Sequence, residues 1–179
     1  MITAALLGAG SRGMFAYGTY ALKRPNEIKF VAVAEPDETK RKMFAEAHNI
    51  PEEMQFTSWS ELLEKPKLAD ALLICTQDRE HFDPTMKALD LGYDILLEKP
   101  MSPDPYESLA MAEKAAEKEQ VLTICHVLRY STFFKKLKEI IEDKENIGDI
   151  MTIEWTENVG YYHQAHSFVR GNWRNSDES

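Results

Sequence analysis

The chain has 179 residues, of which 44% are hydrophobic and 28% charged, and its formal net charge is −9. That balance belongs to a folded globular protein and excludes a disordered or fibrous chain, while the negative charge and the lack of a long Lys/Arg cluster exclude nucleic acid as a partner. No apolar run approaches the roughly 20 residues that span a bilayer, and MITAALLGAG has no basic segment ahead of it, so no membrane span or signal peptide is expected and the expected location is cytoplasmic.

The first strand is ITAALLG, which runs directly into GAGSRG. Gly8 permits a tight turn, Gly10 lets the backbone approach a pyrophosphate, and Gly13 allows a helix to pack close, with its N-terminus facing phosphates. Ser11 and Arg12 lie inside the same turn and are counted with the glycines as dinucleotide contacts. A bare match of this kind is weak; its place between a strand and a helix from about Ser11 to Lys23 gives it meaning. The second strand, KFVAVAE, ends on Glu35, roughly 20 residues beyond the glycines, where a carboxylate can accept hydrogen bonds from an adenosine ribose and repel a 2′-phosphate. NAD is therefore expected over NADP. The same Glu before Pro36 also suits a plain strand-end turn.

Helices are expected over Asp37 to His48 and Ser58 to Glu64, followed by the strand ADALLIC. Thr76, Gln77 and Asp78 follow that strand at its carboxyl end, the side of an open α/β sheet on which ligands bind. His81, at the start of a helix running from Glu80 to Leu91, fits a capping or solvated residue as well as a ligand contact. The next strand, DILLEKP, delivers Glu98 and Lys99 to the same side. A partly desolvated lysine there can relay the hydroxyl proton lost when an alcohol carbon gives up hydride. A surface Glu–Lys pair is the competing reading. Asp104, Pro105 and Glu107 supply a cap, a pre-set first turn and a capping-box partner for a further helix. The strand VLTIC closes the series, and Cys75 and Cys125, each inside an apolar run, read as small buried hydrophobes.

Strands that are apolar throughout and alternate with helices predict a doubly wound parallel sheet over residues 1–124. After a helix from Thr132 to Asp143 the pattern changes. Ile150 to Trp155 alternates, which predicts a strand of a second, antiparallel sheet, so residues 125–179 read as the beginning of a second α/β domain. Fewer than about 55 residues are available to it, well under a typical domain, and it is expected to be incomplete. His163 and His166 in GYYHQAHSFVRGNWRNSDES lack a third ligand of the right kind nearby, and no metal site is expected.

With GAGSRG, Glu35, LLEKPMS, HVLRY and IGDI in order, the chain resembles the glucose-fructose oxidoreductase, inositol dehydrogenase and rhizopine-catabolism (Gfo/Idh/MocA) family. The resemblance covers nearly the whole chain, and EKP at this distance from the glycines is its most specific part. It implies an NAD(P)-dependent oxidoreductase of sugars, inositols or related polyols, with a Rossmann domain followed by an open, largely antiparallel sheet through which subunits associate. By position it makes Lys99 catalytic or close to the nicotinamide, puts Glu98 beside the nicotinamide ribose, and lines the dinucleotide with Thr76 to Asp78. Two departures stand out: the family often reads Thr-Pro-Asn at Thr76-Gln77-Asp78, and often a proline at Thr132. A second catalytic group, commonly a histidine on a helix beyond an element like Trp173-Arg174, has no counterpart. The chain is thus expected to bind the cofactor and lack part of the active site. Two other functions fit the same residues: a stand-alone NAD-binding or regulatory module, and an NAD-dependent, redox-neutral glycoside hydrolase.

Overall fold

The computed structural model describes residues 1–175 and divides the chain into two compact units, Met1–Cys125 and His126–Ser179. The first unit is built on six parallel strands, β1 (Ile2–Leu7), β2 (Ile28–Ala34), β3 (Gln55–Phe56), β4 (Ala71–Ile74), β5 (Asp94–Leu97) and β6 (Leu122–Ile124), in the order β3-β2-β1-β4-β5-β6. The expected doubly wound parallel sheet is therefore present. Its central strands are apolar on both faces because both faces are covered. Ala5 and Leu7 belong to one core with Leu72, Ile74, Ile95 and Leu97, whereas Ala4 and Leu6 belong to another with Phe30, Val33 and Leu73. That split follows from the twofold side-chain period of a strand.

Helices α3 (Trp59–Leu63), α4 (Phe82–Asp90) and α5 (Pro105–Glu117) bury Leu62, Leu63, Ala88, Leu89 and Met111 in the first core. The second core takes Ala21 from α1 (Thr19–Lys23) and Phe44 and Ala45 from α2 (Glu38–His48). Side-chain caps set the helix starts: Asp37 accepts the Lys40 amide at 3.1 Å and Ser58 the Glu61 amide at 3.2 Å, each satisfying a first-turn N–H. Asp104 caps α5 through the Tyr106 amide at 2.8 Å. The expected capping box does not close there, because Glu107 is taken by the Ser102 hydroxyl, which itself accepts the Asp104 amide at 2.9 Å.

Two local features depart from the sequence reading. The helix after the glycines begins as a π-helical stretch, Arg12–Gly18, before it tightens into α1. Strand β3 has two residues, too few to show any alternation, and is held to β2 by the Glu35 amide on the Phe56 carbonyl at 3.1 Å.

The second unit contains α6 (Thr132–Glu142), α7 (Lys144–Ile147) and α8 (Tyr161–Gln164), with irregular chain over residues 148–160. The strand expected from Ile150 to Trp155 is not formed, and no strand occurs among the described residues of this unit. A strand exists only with a hydrogen-bonded neighbour, and none of these residues supplies one. Alternation alone marks two faces; here Ile150, Met151, Ile153 and Trp155 stay exposed, with Trp155 resting on Phe134 of α6 at 5.5 Å between ring centroids. Among the described residues no helix is long and apolar enough to cross a membrane.

Candidate functional site

The parallel register puts five strand ends in one row. Leu7 lies beside Ala34 and Ile74, Ile74 beside Leu97, and Leu97 beside Ile124. The ladder runs one residue further: Gly8, Cys75, Glu98 and Cys125 donate their amides to the carbonyls of Ala34, Leu7, Ile74 and Leu97 at 2.8–2.9 Å. Gly8, Glu35, Cys75, Glu98 and Cys125 thus line the carboxyl edge of the sheet. The chain moves outward from β1 in one direction through β2 and in the other through β4, and a crevice opens at such a switch point.

The glycine turn is packed into that crevice. Gly8 has φ +89°, and a Cβ there would lie 2.5 Å from the Cys75 carbonyl oxygen; a Cβ on Gly13 would overlap the Gly8 carbonyl oxygen. Gly10 differs, since a Cβ on it would meet nothing within 4 Å. The turn therefore presents bare backbone to open space at Gly10, directly ahead of the helix that begins at Arg12. Ser11 makes no side-chain cap. These features fit a bound pyrophosphate, which needs close backbone approach and the unpaired amides of a helix start.

Glu35 is buried, and its two carboxylate oxygens are already engaged: Oε2 accepts the Ala9 amide at 2.8 Å and Oε1 the Asp37 amide at 3.0 Å. Each oxygen retains a second lone pair. Arg41, which sequence reasoning passed over, donates Nη1 to the Glu35 carbonyl at 2.6 Å and so puts a cation at the same strand end.

Beyond β4, Thr76 donates its hydroxyl to the Glu80 carbonyl at 3.1 Å, and Asp78 opens a 3-10 turn, Asp78–Glu80. The side-chain oxygen of Gln77 is buried without a hydrogen-bond partner, an acceptor that suits a ligand donor. His81 has no exposed surface. Its Nδ1 lies 2.7 Å from the Pro100 carbonyl and its Nε2 3.3 Å from the Thr76 carbonyl, so the ring clamps the two loops together.

Glu98 is buried and Lys99 exposed, joined to Pro100 by a cis peptide. Glu98 Oε1 accepts the Tyr17 hydroxyl at 2.7 Å and lies 3.9 Å from Arg12 Nε; Oε2 accepts the Lys99 amide at 3.3 Å. Cys75 and Cys125 flank it on the adjoining strands as free thiols, and burial pushes both above the ordinary thiol range, with Glu98 adding to the effect. Raised thiols are poor nucleophiles at neutral pH. A hollow between α4 and α5, bordered by Met86, Asp90, Glu113 and Lys114, contains no strand-end residue, and Lys114 is already paired with Asp90 at 2.5 Å.

The structure thus brings Gly8, Gly10, Ser11, Arg12, Gly13, Glu35, Thr76, Gln77, Asp78, Glu98 and Lys99 to one edge of one sheet and encloses His81 beneath it. Tyr17 and Arg41 were missed: Tyr17 meets a partner 81 residues away, and Arg41, though only six residues from Glu35, reads like any helix-surface arginine.

Comparison with known proteins agrees with this geometry. Residues 2–126 match the GFO_IDH_MocA family model, described as an oxidoreductase family with an NAD-binding Rossmann fold. A putative oxidoreductase, YteT, of Bacillus subtilis is 29% identical over 74% of this chain and 30% of its own length. The NAD(+) scyllo-inositol 2-dehydrogenase of the same organism is 28% identical over 80% of this chain and 41% of its own. The crystal structure of the WlbA dehydrogenase from Chromobacterium violaceum, with NADH and UDP-GlcNAcA, superposes with a TM-score of 0.73 at 20% identity, covering 80% of this chain and 40% of that one. The chain spans between 30% and 45% of the first curated relatives it matches.

Proposed function

We propose that this chain, which belongs to the Gfo/Idh/MocA oxidoreductase family with its NAD-binding Rossmann fold, binds NAD in preference to NADP and serves hydride transfer to and from a hydroxyl carbon of a sugar, inositol or related polyol. The observation that carries the reading is the row of strand ends: the glycine turn, Glu35, Thr76 and the Glu98–Lys99 pair meet at the switch point of a single parallel sheet.

In this reading Gly8, Gly10, Ser11, Arg12 and Gly13 hold the pyrophosphate, and Glu35 receives the adenosine ribose on its free lone pairs. Thr76, Gln77 and Asp78 line the dinucleotide, with the unpartnered Gln77 oxygen accepting a hydrogen bond from it. Glu98 lies at the nicotinamide ribose. The cofactor supplies hydride acceptance and return when bound. Lys99 takes up the proton released by the substrate hydroxyl, or returns it in the opposite direction; the free chain leaves it exposed where the sequence suggested partial desolvation, so in this reading bound cofactor and substrate supply the desolvation that fits an amine to the task. His81 acts through others, holding the Thr76 and Pro100 loops in register.

A second reading, a module that binds the cofactor without turning over a substrate, is favoured by the location of all these residues within Met1–Cys125. Two measurements separate the readings: titration of NADH into the chain, and NADH formation from NAD with a panel of inositols and sugars. Binding with turnover supports the oxidoreductase; binding without it supports the module; no binding overturns both. Release of sugar with no net NADH would instead identify the redox-neutral hydrolase.

A further inference from the structure

The Tyr17 hydroxyl is a contact between the two halves of the site. It is carried by the helix that follows the glycine turn, yet it reaches Glu98, 81 residues further along, at 2.7 Å. The same oxygen lies within hydrogen-bonding distance of Cys125 Sγ. A phenol has one hydrogen to give and lone pairs to receive. The carboxylate is the stronger acceptor, so Tyr17 gives its hydrogen chiefly to Glu98, with Cys125 Sγ the weaker acceptor of the same O–H. Burial, then the hydrogen bonds with Cys125 and Glu98, raise the Tyr17 hydroxyl far above the usual tyrosine range, which keeps that proton in place.

The other groups near Glu98 cannot substitute for it. Arg12 stands 3.9 Å away on a side chain that is 57% exposed, where solvent screening leaves little interaction. The Lys99 amide occupies only Oε2, at 3.3 Å. The thiols of Cys75 and Cys125 are weak donors. Removing the phenolic oxygen would therefore leave Oε1 of a buried carboxylate without a strong partner and free the side chain to turn.

We propose that Tyr17 is a positioning residue of the dinucleotide site, fixing the Glu98 carboxylate from the glycine-turn helix so that pyrophosphate binding and nicotinamide placement are set by one connected element. The proposal rests on the dinucleotide reading given above. A purely structural role for Tyr17 is the alternative, since its ring also packs against the core that contains Phe30 and Phe44.

ADP and NADH distinguish the two. ADP carries the adenosine and pyrophosphate but neither the nicotinamide nor its ribose, so it reports only on the half of the site built by the glycine turn and Glu35. Dissociation constants for ADP and NADH would be measured for the unaltered chain, Tyr17→Phe, Glu98→Gln and the double variant. Tyr17→Phe should weaken NADH by about tenfold, as loss of a hydrogen bond to a charged group does, and leave ADP within about twofold. In the Glu98→Gln background the same substitution should change NADH affinity little, because the two side chains act as a unit. Equal weakening of ADP and NADH, or NADH binding unchanged in Tyr17→Phe, or full additivity of the two substitutions, would overturn the proposal. An unaltered chain that binds ADP and NADH equally weakly, at millimolar levels, would overturn the dinucleotide reading itself.

Discussion

The Glu35 carboxylate accepts the backbone amide of Ala9 at 2.8 Å, so the end of β2 and the glycine turn after β1 are one hydrogen-bonded unit. A residue assigned to cofactor choice from its place on a strand is therefore also a brace for the turn. The observed brace and the proposed selectivity have separable consequences.

Replacing Glu35 with Ser should lower the melting temperature of the free chain, because the Ala9 and Asp37 amides lose a charged acceptor, at a cost of about 1–3 kcal/mol. The unaltered chain should be stabilised more by NAD than by NADP at equal concentration, since a ligand stabilises the state that binds it. That gap should narrow in the variant, where no carboxylate repels a 2′-phosphate and Arg41 remains at the strand end. Thermal melts with each nucleotide check both statements; NADP stabilising the unaltered chain as strongly as NAD would remove Glu35 from the selectivity role.

The glycines should separate by mechanism. Gly8→Ala places a side chain at φ +89° against the Cys75 carbonyl and should destabilise the fold by more than about 1 kcal/mol. Gly10→Ala meets open space and should leave the melting temperature nearly unchanged while weakening NADH binding, because the methyl group occupies the ground that a pyrophosphate needs. A Gly10→Ala chain with unaltered affinity would mean that the phosphates lie elsewhere.

Much of this arrangement was legible in the sequence because its signals are local. Five of the six strands announce themselves as short apolar runs, and the glycine turn, Glu35 and the Glu98–Lys99 pair each terminate one of them. What could not be read depends on partners far away along the chain. Tyr17 meets Glu98 only after four crossovers of the fold, and His81 reads as a capping or solvated residue as well as a ligand contact until the Pro100 and Thr76 carbonyls close on its ring. Ile150 to Trp155 misled for the converse reason: its alternation is local, but a strand is a property of two segments.

Lys99→Ala should bind NADH within about twofold of the unaltered chain. Where polyol-dependent NADH formation is measurable, the substitution should slow it by roughly 10²–10⁴-fold, the usual loss when a positioned acid–base group is removed. Stopped-flow or steady-state absorbance at the NADH band would check this. An alanine variant as fast as its parent would move the proton relay to another residue.

His48 provides a pH test of the fold apart from the site. Its ring packs on Phe44 at 4.3 Å and Phe30 at 5.2 Å between centroids, and burial holds its pKa below the ordinary histidine value. The unfolded chain therefore takes up a proton near pH 6.5 that the folded chain resists. The contribution is complete above that pH and is lost as pH falls towards the depressed folded value. The melting temperature should drop between pH 7.5 and pH 5.5 more steeply in the unaltered chain than in His48→Leu. The lowered carboxyls of Asp37, Glu61 and Asp70 act below their unfolded values near 4 and do not contribute in this window. Parallel slopes would show that His48 does not titrate with unfolding.

The order of the strands also sets a timetable for synthesis. Of the six strands β1 is made first but lies in the middle of the finished sheet, between β2 and β4, so it gains one neighbour early and the other only after residue 74 has been made. The crevice at the switch point has one wall until then. Because pairing across parallel strands is non-local, a nascent chain would, in the dinucleotide reading, gain nothing from the cofactor until β4 arrives, and the Glu98 end of the cleft is added later still. In the dinucleotide reading, ligand capture would thus come late on a growing polypeptide, only when nearly the whole first unit has emerged.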